Sequence, residues 1–372
     1  MFSIANKGAL LLILWSQICF SQQSKEVVVA QHTFLKQIIT SNVLYDNHNK
    51  GLPDKKEEEL PSFEVNYLPI NSKYADYAPS FFDDQLVFAS SRTKHSFVKI
   101  IDSSNNEPFL DLYTTQKTSG RVGVKKLKGS LNTKFHESSA VFTKDGTEVY
   151  FTRNKTVKGS KRKNKKKKEL LTIYRADFIK GEWKNIRELP FGGEDYSIAH
   201  PALSEDERIL YFVSDMPGGY GKSDLYSVQI NKSTGYGVPQ NMGDKINTSG
   251  RETFPFVSDK GNLFFASDGH VGHGGLDVFM KVTNRDGKDL AYNLGMPINS
   301  AKDDFTFIIN EQNKVGYFAS NRGGGRGSDD IYGFKQLKPF PEIYTIESPN
   351  KGLKKLERII NMKNHIESTT SL

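Results

Sequence analysis

The side chains best equipped for chemistry lie together between Gly261 and Lys281, where Asp268, His270, His273 and Asp277 stand among glycines. Two imidazoles and two carboxylates in so short a stretch have the character of a divalent-ion site. The same stretch, GNLFFASDGHVGHGGLDVFMK, is written again elsewhere without its histidines. RILYFVSDMPGGYGKSDLYSV starts at Arg208 and KVGYFASNRGGGRGSDDIYGF at Lys314. Weaker copies are QLVFASSR at Gln85 with PFLDLY at Pro108, and EVYFTRNK at Glu148 with LLTIYRA at Leu170. What recurs is the aspartate before the last strand, as Asp111, Asp224, Asp277 and Asp330, the last three 53 residues apart, with Thr172 in its place in copy two. A short carboxylate there can accept backbone N–H groups and hold the turn that enters the strand. A structural role for these four is therefore expected, with no metal and no cofactor.

Other reaction centres are weaker still. The glycine clusters lack the Lys-Ser/Thr ending of a phosphate loop, and neither G-x-S-x-G nor H-E-x-x-H occurs. Glycoside hydrolysis would need two or three acids converging on one cavity, roughly 5–9 Å apart. The reading is that the chain is not an enzyme, with a glycoside hydrolase kept as an alternative.

The elements that would position any site follow from the repeat. Each copy holds an entering strand, a turn of Asn, Asp or Gly, an apolar strand and a final strand, opened by aspartate in all but copy two. Gly 31, Tyr 16 and Phe 25 suit many strands joined by many turns. Connections repeat too: Asn241-Met242-Gly243 and Ile246-Asn247 match Asn293-Leu294-Gly295 and Ile298-Asn299. A unit of this size has apolar faces that only neighbouring units can cover. The expected fold is all-β, a five-bladed β-propeller over residues 63–337, with copy one starting near Phe63 and its first strand at Val65 to Leu68. Six blades are the alternative.

The flanks differ. Met1 to Ser21 reads as an export signal, one positive charge followed by a mostly apolar run to Phe20. Cleavage near Ser21 removes Cys19, the only cysteine, and so excludes disulfides and a thiol nucleophile. A lipoprotein site at Cys19 is disfavoured by Ile18 before it. No second apolar stretch suggests a membrane span in the mature chain. Residues 22–62 form a leader and 338–372 a tail, each with room for a short helix. Of the formal +8 charge, much sits in one segment, residues 155–169, with nine Lys or Arg. Like charges so dense stay solvated. Lys161, Arg162, Lys163, Lys165, Lys166, Lys167 and Lys168 are the candidate contact for a polyanion, an acidic glycan or lipid headgroups, while export argues against nucleic acid.

The stretches SDMPGGYGKSDLY, SDGHVGHGGLDVF and SNRGGGRGSDDIY, with NMGDKINTSGRETFPF and NLGMPINSAKDDFTF between them, resemble the WD40-like propeller repeats of TolB. More narrowly, they are similar to those of Bacteroidetes outer-membrane-associated proteins that carry an OmpA-like domain. The resemblance implies a periplasmic or outer-membrane-associated scaffold whose partners are envelope proteins, in type IX secretion or gliding machinery. A carbohydrate- or polyanion-binding propeller is the alternative.

Overall fold

The computed structural model describes residues 61–92, 101–102, 107–118, 121–157, 168–231, 233–284 and 286–340. The export signal, the leader up to Leu60 and the tail beyond Phe340 lie outside them. The described residues are strands and turns arranged as a five-bladed β-propeller.

Blade one runs outward through Asp76–Phe82, Gln85–Ser90, Asp111–Thr118 and Arg121–Lys126, and blade two through Glu137–Phe142, Glu148–Val157, Lys168–Ile179 and Glu182–Glu188. Blade three uses Ile198–Leu203, Ile209–Ser214 and Asp224–Asn231. Its outer edge is two short pieces, Gly235–Tyr236 and Gln240–Asn241. Blade four is Glu252–Val257, Leu263–Ser267, Asp277–Thr283 and Asp289–Asn293. Blade five has Asp304–Asn310, Val315–Ser320 and Asp330–Lys338, and its outer strand is Ser62–Tyr67 from the other end of the chain.

That last pairing corrects the sequence reading. The strand near Phe63 does not open copy one; it completes copy five. Phe63 packs edge-on against Phe334 at 5.5 Å and against Phe340 at 6.0 Å. Its apolar face therefore has a place only on the last blade. The ring closes at five, and the six-blade alternative is set aside.

The second strand of each blade is covered on both faces by neighbouring blades, so it reads as a continuous apolar run and not as an alternation. Phe88, Phe151, Phe212, Phe264 and Phe318 are among the fully buried members of these runs. An apolar cluster fills each interface between adjacent blades, including Phe88, Tyr113 and Ile331 where blade five meets blade one.

Two polar devices tie the links to the sheets. An asparagine in the link bonds the backbone N–H and C=O of the residue after the repeat aspartate: Asn132 to Leu112, Asn247 to Leu225, Asn299 to Val278 and Asn71 to Ile331. At the head of the innermost strand, Asp76, Glu137, Glu252 and Asp304 are fully buried acids. Each accepts from the N–H four residues earlier, at Ser72, Thr133, Thr248 and Ser300. Three of them also hold an arginine: Arg92 on Asp76, Arg153 on Glu137 and Arg322 on Asp304.

Candidate functional site

The innermost strands of the five blades meet around the axis. Each carries a bulge at the same place, and the first bulged residue has a left-handed backbone: Ala78, Ser139, His200, Phe254 and Thr306, with φ of 52, 46, 53, 48 and 50°. The strand pairing slips there in every blade. None of the five is glycine, so each position costs on the order of 1 kcal/mol. The return is geometric: a bulge re-aims a side chain, and here all five residues line one narrow axial cavity. His200 lies flat on Phe254, 3.8 Å between ring centres, with Nδ1 2.8 Å from Thr253 Oγ1. Burial drives its pKa down to about 3, so the imidazole is neutral.

Above this ring the channel widens into two adjoining cavities of about 280 and 230 Å³ that share Tyr77, Leu110 and His136. Links between second and third strands, and links from each blade to the next, leave from this same end of the sheets. The first cavity is lined by Ser91, Glu107, Phe254, Phe305, Ser328 and Asp329 among others, the second by Ser138, Asn154, Glu169 and His200 among others. Glu107 is held out to the mouth by a small hairpin in which Ile101–Asp102 pairs with Glu107–Pro108. His136 accepts the Leu110 N–H at Nδ1 and packs at a tilt against Phe109, 4.6 Å between ring centres.

The mouth is acidic in a chain that is basic overall, and neither cavity has a lysine or arginine among its described lining residues. Burial, followed by the charges of Asp303, Glu107 and Asp330, pushes the Asp329 carboxyl up to about 6. An acid whose folded value lies above its ordinary one stabilises the fold in its protonated form. That contribution is full below about pH 3.8 and is lost as pH rises through about 6. Asp329→Asn should therefore flatten the fall in stability between pH 4 and 6.5 and stabilise the ring at neutral pH by at most about 3 kcal/mol. Urea midpoints across that range measure it. An unaltered pH slope would mean that the carboxyl is well solvated.

The residues singled out in the sequence lie elsewhere, at the heads of third strands in separate blades. Asp224 accepts the N–H groups of Tyr220 and Gly221 and the Asn241 amide. Asp277 accepts those of His273 and Gly274, and Asp330 those of Arg326 and Gly327. Asp111 pairs with Lys126 at 2.7 Å. The glycine-rich links are shaped by these carboxylates: a Cβ on Gly272 or Gly325 would come within 1.9 Å of Asp277 or Asp330. Thr172 stands opposite Arg153 as Asp111 stands opposite Ser90. Asp268 binds Arg251, His270 reaches the Ile246 carbonyl, and no group of three metal-ligating side chains occurs among the described residues. Lys161, Arg162, Lys163, Lys165, Lys166 and Lys167 lie outside the described residues, and Lys168 begins the third strand of blade two.

Sequence reasoning missed the mouth because Glu107, His136 and Asp329 come from three unrelated links. The inner ring did leave a trace, since Ala78-Pro79, His200-Pro201 and Phe254-Pro255 put proline at the same point of three innermost strands. Proline lacks the N–H that a regular ladder needs there and so marks a bulge.

No family model matches the sequence, and no curated protein matches it. Among solved structures the chain is similar to a putative TolB from Agrobacterium tumefaciens, at 14% identity and a TM-score of 0.41, over 74% of this chain and 91% of that one. It is also similar to a family 117 glycoside hydrolase from Zobellia galactanivorans, at 10% identity and 0.46, over 81% and 99%. A third is an α-L-arabinofuranosidase from Podospora anserina, at 9% identity and 0.42, over 74% and 95%. These likenesses are of fold alone. One expectation is corrected by the cavity itself: Glu107 and Asp329 face one space at the channel mouth, two acids converging as hydrolytic chemistry would need, so the reading that the chain is not an enzyme no longer stands.

Proposed function

We propose that the propeller is a recognition module of the cell envelope that takes a saccharide at the mouth of its channel. The observation that carries this reading is the lining of the larger cavity. Tyr77, Phe254 and Phe305 offer ring surface on which the C–H face of a sugar can stack, and Ser91, Glu107, His136, Ser328 and Asp329 offer hydrogen-bonding groups for its hydroxyls. The carboxylates repel polyanions, so the ligand favoured is neutral.

Titration calorimetry with neutral mono- and disaccharides tests this. Glu107→Gln should weaken a neutral sugar roughly 10- to 100-fold, the effect of removing one charged hydrogen bond. Absence of binding by every neutral sugar would sink the proposal. The same samples are followed for released reducing ends, and turnover that vanishes in Asp329→Asn would make the site catalytic.

A second reading concerns protein partners. Tyr220, Val271 and Met296 project into solvent from links of blades three and four on the mouth face. The sequence resemblance supplies their setting: an exported protein of the periplasm or outer membrane that meets envelope proteins of type IX secretion or gliding. Pull-down from solubilised envelopes with wild type and with Tyr220→Ser/Val271→Ser as bait separates a specific partner from background. The basic segment is a further proposed contact, for acidic glycan or lipid headgroups. Neutralising Lys161 to Lys168 should flatten the salt dependence of such binding.

A further inference from the structure

The axial cavity beneath the mouth has a volume of about 60 Å³ and is lined by residues from all five innermost strands. Most of its wall is apolar, including Ala78, Pro79, Pro201, Phe254, Pro255 and Ile308. Three hydroxyl side chains, Ser80, Ser139 and Thr306, interrupt it, and the last two stand at the bulges. Ser139 in blade two and Thr306 in blade five are 9% and 5% exposed, and Ser139 Oγ and Thr306 Oγ1 have no hydrogen-bond partner among the described residues. Both belong to the left-handed set, and Thr306 is β-branched, a residue type for which a positive φ is a true outlier. The chain thus holds two strained residues in place in a largely apolar wall. An unmet hydroxyl there would cost about 1–3 kcal/mol on its own.

We infer that the axis of the ring is a built site for ordered water, held by Ser139 and Thr306 and bordered by His200. The volume exceeds the ~10–15 Å³ that one water needs, and the bulges leave backbone groups at 78–79, 139–140, 200–201, 254–255 and 306–307 outside the ladder to serve as further partners. The uncharged lining decides between water and an ion. No carboxylate, lysine or arginine lines the cavity, and His200, driven to a low pKa by burial, brings no charge. An ion would lose its hydration shell and gain no countercharge, whereas water exchanges one set of hydrogen bonds for another. His200 borders both this cavity and the smaller mouth cavity, so the water forms the floor of the mouth. This inference does not depend on which ligand the mouth takes.

The test uses the sign of a stability change. Thr306→Val keeps shape and backbone preference and removes only the hydroxyl. If water satisfies that hydroxyl, the variant should raise the unfolding equilibrium constant roughly fivefold, Ser139→Ala should act in the same direction, and Thr306→Ser should stay near wild type. A crystal structure of the wild-type protein should show density about 2.8 Å from both hydroxyls, lost from the valine variant. A Thr306→Val protein as stable as wild type or more stable would overturn the inference, because replacing an unmet hydroxyl with a methyl removes a penalty. Density with the anomalous signal or coordination of an ion would overturn it equally.

Discussion

Replacing Arg322 with methionine should cost the fold about 3–5 kcal/mol, because it strands a buried carboxylate. Asp304 is fully buried, and Arg322 Nη2 lies 2.5 Å from its Oδ1. The same guanidinium donates to the carbonyls of Pro297 and Ile298 and lies over the rings of Phe318 and Tyr332, 4.8 and 5.2 Å from their centres. One side chain thus joins the link from blade four to the first three strands of blade five. Methionine fills much of the volume but supplies none of the donors. Asp304→Asn added to Arg322→Met should recover part of the loss, since a neutral amide is cheaper to bury than a lone carboxylate. Urea unfolding of the single and double variants measures both. A loss under about 1 kcal/mol in the single variant would show that water reaches Asp304.

Phe63→Ala should cost a similar amount, about 3–5 kcal/mol, and should act locally. Phe63 is the buried anchor of the strand that closes the ring, set against Phe334 and Phe340. Tyr67, at the far end of the same strand, is 37% exposed, and Tyr67→Ala should cost less. Hydrogen exchange distinguishes closure from a general loss of packing. Protection along Asp330–Lys338 should fall first while the strands of blade two keep theirs. Equal loss in all five blades would mean that Ser62–Tyr67 is not an independent clasp.

Much of this architecture was legible in the residues, for a physical reason. Strands such as Leu263–Ser267 are covered on both faces, so their apolar runs stand out, and the aspartate after each glycine-rich link marks where the next strand begins. The closing strand was misplaced because the outer strand of a blade bears no such mark. Leu68-Pro69-Ile70-Asn71 shows its likeness to Met296-Pro297-Ile298-Asn299 only when set after copy five, and a linear reading puts it before copy one. The candidate site was less legible. Repetition drew attention to Asp224, Asp277 and Asp330, which bond their own links, whereas Glu107, His136 and Asp329 are brought together by ring closure. The two left-handed residues that no proline follows were hidden for a different reason: Ser139 and Thr306 are ordinary residues for a strand, and only the bulge makes them unusual.

The clasp in blade five also fixes how the molecule should respond to force. Ser62 lies directly opposite Lys338 in the antiparallel pair, so the two ends of the ring leave from the same end of one strand pair. Tension drawn between them separates Ser62 from Lys338 first and then breaks one rung after another, which is peeling and not shear. A propeller tethered through both ends should therefore part at this seam under a small load, before any other pair of its strands slides.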